Sequence, residues 1–189
     1  WKLFQKDIVI HCIVEKEKEY TKKIFKEDTK IVLLPNFILK PDTTNITKTY
    51  SKKYILYLGR LHKIKGLENL FKSLKASKVF MESDTVIKLA GKGDPEYVTK
   101  LKNLVEELGI KNKVEFLNQV EGNDKEQLIA NAYFLCLPSH TENFGNVVVE
   151  ALIHGTPVIA SKGTPWEMLN LNKAGFWVDN SVNALAEIL

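Results

Sequence analysis

Short apolar runs alternate with amphipathic stretches along most of this chain of 189 residues. The apolar runs are rich in Val, Ile, Leu and aromatic side chains and are bounded by turn residues, a pattern that predicts β-strands. Strands are predicted at residues 7–14, 30–35, 54–59, 85–91, 114–117, 133–138, 157–161 and 176–179. Several of these runs are apolar throughout, which is typical of a parallel sheet covered by helices on both faces.

Amphipathic segments between the predicted strands indicate helices. In GLENLFKSL the apolar positions Leu67, Leu70, Phe71 and Leu74 follow the i, i+3, i+4, i+7 spacing of one helix face. PEYVTKLKNLVEELG has a similar stripe, with a proline suited to the first turn and a glycine suited to the C-terminal cap. NDKEQLIANA and GNVVVEALIHG complete the series. Strands alternating with helices predict an α/β fold with a doubly wound parallel sheet.

The stretch NFILKPDTTNITKTYSKK, residues 36–53, is polar, turn-rich and without periodicity. Such a composition indicates a linker, and we place a domain boundary within it. The chain begins with Trp1 and ends in the helix-like SVNALAEIL. We therefore interpret it as a piece of a longer protein.

Charge is distributed unevenly along the chain, whose net charge is +4. Residues 1–80 carry 18 basic and 8 acidic side chains, whereas residues 81–189 carry 9 and 15. In EKEKEYTKK the lysines alternate with acids, which favours a solvated helix face. The basic residues are not interleaved with aromatic ones, so a nucleic-acid partner is disfavoured.

Cysteine usage and the absence of a long apolar run indicate a cytoplasmic protein. Cys12 and Cys136 lie in apolar runs without a CxxC grouping, which predicts two buried, reduced thiols. The four histidines have no metal-ligand spacing. No run of eighteen apolar residues and no signal peptide is recognisable.

Ligands of open parallel sheets bind at the carboxyl ends of the strands. The loops predicted there are residues 59–66, 91–95, 118–124 and 139–146. GKGDP, in the second of these loops, is too short a glycine motif to indicate a dinucleotide, and no GxGxxG accompanies it. A nicotinamide-dependent enzyme is thereby disfavoured.

The loop SHTENFGN leads from a strand into a helix, and Gly145 lets the backbone approach a ligand. Backbone amides at a helix start favour anions and acceptor oxygens. Eight residues of helix would separate Glu142 and Glu150 by roughly 12 Å, more than the ~5 to 9.5 Å of a glycosidase pair. The two acids suit the opposite ends of a nucleotide sugar. The alternatives are a capping acid for Glu142 and a solvated helix residue for Glu150.

Arg60 is the single arginine among 27 basic residues, and it follows a predicted strand in GRLHKIKG together with Lys65. Two cations in this loop could neutralise a diphosphate without a metal. The chance occurrence of one arginine in a lysine-rich chain is the alternative.

The segments YLGRLHKIKG, LAGKG, FLNQV and SHTENFGNVVVEALIHGTPVIAS, in this order and spacing, resemble the donor-binding domain of the retaining GT-B glycosyltransferases of family GT4. The resemblance covers residues 54–189. Residues 1–40 resemble the end of that family's N-terminal, acceptor-side domain, and residues 41–53 would be the linker. The resemblance implies transfer of a sugar from a nucleotide-diphosphate sugar to a glycan, lipid-linked or small acceptor, with no metal or other cofactor.

The resemblance also implies roles for individual residues. Arg60 and Lys65 would stabilise the leaving diphosphate, Glu142 would hold the transferred sugar, and Glu150 would bind the ribose. The remaining expected donor contacts are Gly59, Gly91, Val120, Asn143, Phe144, Gly145 and Asn146. The chain departs from the family at Asn118, where a glycine is usual, and at KGTPWE, which leaves the role of Glu167 open.

Three functions remain open at this stage: a glycosyltransferase, a GT-B-like sugar-nucleotide epimerase, and a nucleotide-sugar-binding module without transfer activity. We expect the isolated fragment to bind donor but to transfer nothing, because the family's acceptor site lies in the missing domain. That domain could also contact a membrane surface, so the inner face of the membrane is a second candidate location.

Overall fold

The computed structural model describes residues 8–25, 29–39, 46–47, 49 and 53–189. The chain divides into two compact units, with the boundary after Leu39. In the first unit, strands β1 (Val9–Cys12) and β2 (Lys30–Leu33) pair in parallel. Helix α1 (Glu15–Ile24) lies between them in the chain and buries no side chain. This agrees with the solvated helix face predicted for EKEKEYTKK.

The second unit is built on a six-stranded sheet in which every pairing is parallel. Its strands are β3 (Tyr54–Leu58), β4 (Val86–Ala90), β5 (Val114–Leu117), β6 (Phe134–Leu137), β7 (Val158–Ser161) and β8 (Gly175–Val178). The spatial order is β5-β4-β3-β6-β7-β8. The predicted doubly wound parallel sheet is confirmed.

Six helices lie between these strands in the chain: α2 (Leu67–Ala76), α3 (Lys78–Glu82), α4 (Pro95–Glu107), α5 (Gly122–Ala130), α6 (Asn146–Ile153) and α7 (Met168–Leu171). A further helix, α8 (Val182–Ile188), follows the last strand. Short 3-10 turns lie at Lys63–Lys65 and Lys111–Lys113. Helix α4 begins as predicted at Pro95, and the Asp94 carboxylate accepts from the backbone N–H groups of Glu96 and Tyr97. The sequence pattern did not predict α3 and α7, which are only one turn long.

The core lies on both faces of the sheet, and successive residues of β3 alternate between them. Ile55 and Tyr57 belong to one apolar cluster, which includes α2 and α4 side chains. Tyr54 and Leu56 belong to the other, which includes Val148 of α6. Because successive strand side chains point to opposite faces, a strand covered on both sides must be apolar throughout. This is why β3 reads YILYL without alternation.

Both cysteines are buried and unpaired with each other. Burial raises the pKa of the Cys136 thiol to about 12, so that it stays protonated at neutral pH. The helices of the described residues do not include a membrane-spanning segment. Most of the predicted linker, residues 41–53, lies outside the described residues.

The strand order reverses direction between β3 and β6. From β3 the chain proceeds to β4 and β5 on one side, then crosses to β6, β7 and β8 on the other. At such a switch point, the loops after the two neighbouring strands run in opposite directions. A crevice therefore opens between them at the carboxyl ends of the strands. The fold therefore places the candidate site at this edge of the sheet.

Candidate functional site

A cleft of about 630 Å³ opens at the carboxyl ends of β3, β4 and β5, and α5 and α6 form its remaining wall. Five of the residues predicted to bind ligand line it: Gly59, Arg60, Gly91, Val120 and Glu150. The volume falls within the ~300 to 1,000 Å³ that is usual for small-molecule sites.

Arg60 is placed by the strand that precedes it. The hydroxyl of the buried Tyr57 donates a hydrogen bond of 2.7 Å to the Arg60 carbonyl oxygen. Burial and, to a smaller extent, the charge of Glu142 raise the pKa of Tyr57 above its ordinary value, so the phenol remains a donor. The Arg60 side chain is exposed at the cleft and takes part in none of the ion pairs of the described residues. Its guanidinium is available to an anionic ligand.

Gly91 is required by the close approach of two loops. Its φ is 152°, and a Cβ built there would lie 2.0 Å from the Gly59 carbonyl oxygen. The loops are joined by backbone hydrogen bonds from Gly59 N–H to Ala90 at 3.0 Å and from Leu61 N–H to Lys92 at 2.8 Å. A side chain at Gly91 would therefore push apart the loop that carries Arg60 and the loop that follows β4.

Lys65 and Glu142 form an ion pair between the loop after β3 and the loop after β6. Their side chains are only 17% and 18% exposed. The Ser139 hydroxyl donates to the same Glu142 carboxylate at 3.3 Å. The His140 N–H donates to the Ile64 carbonyl at 2.8 Å and holds the two loops together. The structure thus brings Lys65 and Glu142 to each other, but neither is among the residues that line the cleft.

Helix α6 is preceded by a residue in the left-handed conformation, Gly145, whose φ is 78°. A Cβ there would lie 2.9 Å from the Leu137 side chain. No side chain caps the helix start, and the Glu142 carboxylate binds Lys65 instead. The capping role that was the alternative for Glu142 is therefore not what the structure shows.

Trp166 contacts the loop before α6 and helps to hold it in place. The indole N–H donates to the Phe144 carbonyl, and the two rings lie 5.2 Å apart. The Glu142 N–H donates to the Gly163 carbonyl at 2.9 Å. The predicted contacts Asn143, Phe144, Gly145 and Asn146 lie at the start of α6 but do not line the cleft, whereas the next residue, Val147, does.

Glu150, in the second turn of α6, is not a solvated helix residue. It lines the cleft, and its carboxylate lies 3.1 Å from the ammonium of Lys125 on α5. Sequence reasoning missed Lys125, because an ion pair between two helices leaves no spacing signal along the chain. It also missed Lys92, whose only signal was its place between the two glycines of GKGDP.

At the two departures from the GT4 pattern, Asn118 and Glu167 are exposed, whereas Thr164 of KGTPWE is buried. Asn118 is exposed and precedes Gln119 and Val120, which line the cleft. Glu167 is exposed and directly precedes α7. Within the described part of the chain, no cluster of three or more His, Cys, Asp or Glu residues could hold a metal ion. Metal independence stays a prediction.

Residues 42–189 match the family model described as "Glycosyl transferases group 1". The chain is 34% identical over 145 residues to the O-antigen chain mannosyltransferase RfbU of Salmonella typhimurium, covering 76% of this chain and 39% of that protein. It is 30% identical over 151 residues to the N-acetyl-alpha-D-glucosaminyl L-malate synthase of Bacillus anthracis, covering 75% and 38%. The chain spans less than half the length of these relatives.

The fold also matches a solved structure, that of HepE from Anabaena in complex with UDP and glucose. The TM-score is 0.75 and the sequence identity 23%, with 95% of this chain and 52% of that chain covered. At this identity the match shows the fold alone, and it agrees with the Rossmann-like half of a GT-B fold expected from the sequence.

Proposed function

This chain belongs to the glycosyl transferases group 1 family, and from that premise we propose that it is the donor-binding part of a retaining, metal-independent glycosyltransferase. The donor is a nucleotide-diphosphate sugar, and the acceptor is a glycan, a lipid-linked oligosaccharide or a small molecule. The observation that carries the proposal is the cleft at the switch point, where Arg60 of the loop after β3 and Glu150 of helix α6 line one space.

The cleft is chemically divided in a way that fits such a donor. Gln119 and Val120 supply wall and backbone groups for a base, and Glu150 supplies acceptor oxygens for ribose hydroxyls. Arg60 supplies a fork of N–H donors for the diphosphate. The HepE structure holds UDP and glucose in the same fold, which supports this class of ligand.

Breaking the bond between sugar and phosphate builds negative charge on the diphosphate. Cations placed beforehand beside that charge stabilise the transition state more than the ground state. Arg60 supplies one such cation, and Lys65 supplies a second from the same loop. Glu142, oriented by Lys65 and Ser139, would accept hydrogen bonds from the hydroxyls of the transferred sugar.

The resemblance to the GT4 family supports retention of the anomeric configuration, independence of metal, and the assignment of residues 1–40 to the end of an acceptor-side domain. The proposed location is the cytoplasm, or the inner face of the membrane where the acceptor is lipid-linked.

Calorimetric titration of this chain with UDP, GDP and ADP tests the proposal. We expect one nucleoside diphosphate to bind at micromolar concentration and the corresponding monophosphate to bind more weakly, because Arg60 contacts the diphosphate. Failure of all three to bind would overturn the proposal. Product analysis of the full-length protein with the matching nucleotide sugar then separates transfer from epimerisation and from binding alone.

A further inference from the structure

Lys125 is a cation of the cleft wall that neither the sequence motifs nor the proposed mechanism uses. It lies in α5, the helix that follows the loop containing Gln119 and Val120, and it lines the same cleft as Glu150. The ammonium lies 3.1 Å from Oε1 of Glu150. The two side chains are 26% and 22% exposed, so the pair is partly shielded from water.

Lys125 also forms a second ion pair, with its neighbour Glu126. Its ammonium lies 3.5 Å from Oε1 of Glu126, whose Oε2 is bonded to the buried His154 beyond the end of α6. A chain of polar contacts therefore runs from His154 through Glu126 and Lys125 to Glu150, linking α5 to α6. This arrangement restricts the directions in which the Lys125 side chain can move.

Lys125 carries its charge under ordinary conditions. Partial burial lowers its pKa, but the hydrogen bond and charge of Glu150 and the charge of Glu126 raise it by more, so the pKa lies above its ordinary value. A partly shielded carboxylate such as Glu150 needs such a partner to offset its loss of water and to keep one orientation.

We propose that Lys125 is the positioning residue for Glu150 and thereby sets the affinity of the cleft for ribose hydroxyls, an inference that rests on the proposed function. The carboxylate has about four lone-pair sites, and the ammonium of Lys125 uses one of them, on Oε1. Glu150 makes no other ion pair among the described residues. Oε2 is thus held in a fixed direction as an acceptor for a vicinal hydroxyl. Without Lys125, the carboxylate would have to be ordered by the nucleotide itself.

The test measures binding to two forms of one nucleotide. The probe is whichever of UDP, GDP and ADP binds this chain most tightly, together with its 2′,3′-dideoxy form. For Lys125→Met we expect the affinity for the ribonucleotide to fall about tenfold, as for loss of one charged hydrogen bond. The affinity for the dideoxy form should stay the same, since it has no hydroxyl for Glu150 to bind.

Glu150→Gln should also reduce the ratio of the affinity for the ribonucleotide to the affinity for its dideoxy form. The double variant, Lys125→Met with Glu150→Gln, should reduce this ratio no further, because both residues act through one carboxylate. Lys125→Arg keeps a cationic donor, so its ratio of the two affinities should lie close to that of the unaltered chain. Lys125→Gln serves as a second variant where the methionine impairs folding, which the thermal midpoint reports.

The matched control is Lys88→Met. Lys88 on β4 is 27% exposed and lies 3.7 Å from Glu115, but it is not among the residues that line the cleft. It should leave both affinities unchanged. Equal loss of both nucleotide forms in Lys125→Met, or no loss of either, would overturn the role of Lys125 and leave the proposed function standing. If none of the three diphosphates binds the unaltered chain, both proposals fail together.

Discussion

Lys65 and Glu142 show how the role of a side chain depends on its partner. The Lys65 ammonium forms an ion pair with the partly buried Glu142 carboxylate, and the Ser139 hydroxyl donates a hydrogen bond to the same carboxylate oxygen. A carboxylate held by these two donors keeps one orientation. We infer that donor phosphates would compete with Glu142 for Lys65, so sugar binding and phosphate binding are coupled through this pair.

Arg60 differs from these residues because none of the ion pairs of the described residues occupies it. We predict that Arg60→Ala in the full-length enzyme lowers turnover by roughly 10² to 10³, by analogy with the loss of one donor to a developing oxyanion. Steady-state kinetics with the matching nucleotide sugar measures this. The effect should be on kcat at least as much as on KM, because the charge on the diphosphate grows as the bond breaks.

Lys78→Ala is the control for Arg60→Ala. Lys78 is an exposed cation on α3 whose nearest acid, Glu82, lies 3.8 Å away. Its removal changes the net charge by the same amount and should leave turnover unchanged. Near-normal turnover of Arg60→Ala would remove the assigned role, whereas an equal loss in both variants would indicate a general effect of charge.

At the scale of the elements, the site depends on backbone contacts between neighbouring loops. The loops after β3 and β4 approach so closely that Leu61 and Gly93 form an isolated bridge beyond the strands. The loops after β3 and β6 are joined by the hydrogen bond from His140 to Ile64. These contacts hold the loops after β3, β4 and β6 in fixed positions relative to one another, and they keep Arg60 at the cleft.

Gly91→Ala tests this packing. The new Cβ would meet the Gly59 carbonyl oxygen at 2.0 Å, and the backbone φ of 152° is unfavourable for alanine. We predict a loss of about 3 kcal/mol in the free energy of unfolding, from strain and overpacking together. Urea denaturation of this chain measures it.

Gly109→Ala is the matched control for Gly91→Ala. Gly109 also has a positive φ, of 66°, but an added Cβ would have nothing within 4 Å. Its cost should be about 1 kcal/mol, the backbone contribution alone. If the two variants lost the same stability, the close contact between the loops would not be what requires glycine at residue 91.

At the scale of the whole molecule, the direction of the chain through the sheet decides where the site lies. Strands β4 and β5 follow β3 on one side, and β6 to β8 lie on the other, so the loops diverge beside β3. The cleft opens there, and its wall is completed by α5 and α6. The site is therefore built from segments that are up to about ninety residues apart in the chain.

The chain also spans less than half the length of RfbU and of the N-acetyl-alpha-D-glucosaminyl L-malate synthase. We predict that it binds a nucleotide sugar but does not transfer the sugar, since the resemblance places the acceptor site in another domain. Incubation with labelled donor and a panel of acceptors, beside the full-length protein, measures this. Transfer by this chain at a rate near that of the full-length protein would contradict the prediction.

Part of the cleft lining could be predicted because each loop carries its own local signal. Arg60 stands out in a lysine-rich chain, and Gly145 with Glu142 and Glu150 marks a strand-to-helix turn. The partners could not be predicted in the same way. Lys125 and Glu150 are 25 residues apart, and Lys65 and Glu142 are 77 apart. Nothing in either local pattern identifies the other member of the pair.

The sequence by itself determined the parallel α/β fold, because strands buried on both faces must be apolar throughout and the helices between them must be amphipathic. It also placed the candidate loops at the carboxyl ends of the strands. Only the tertiary structure decided which side chains share a cleft and which neutralise each other. Ion pairs and close backbone contacts depend on distances in space, and these are set by the order of the strands and the packing of the helices upon them.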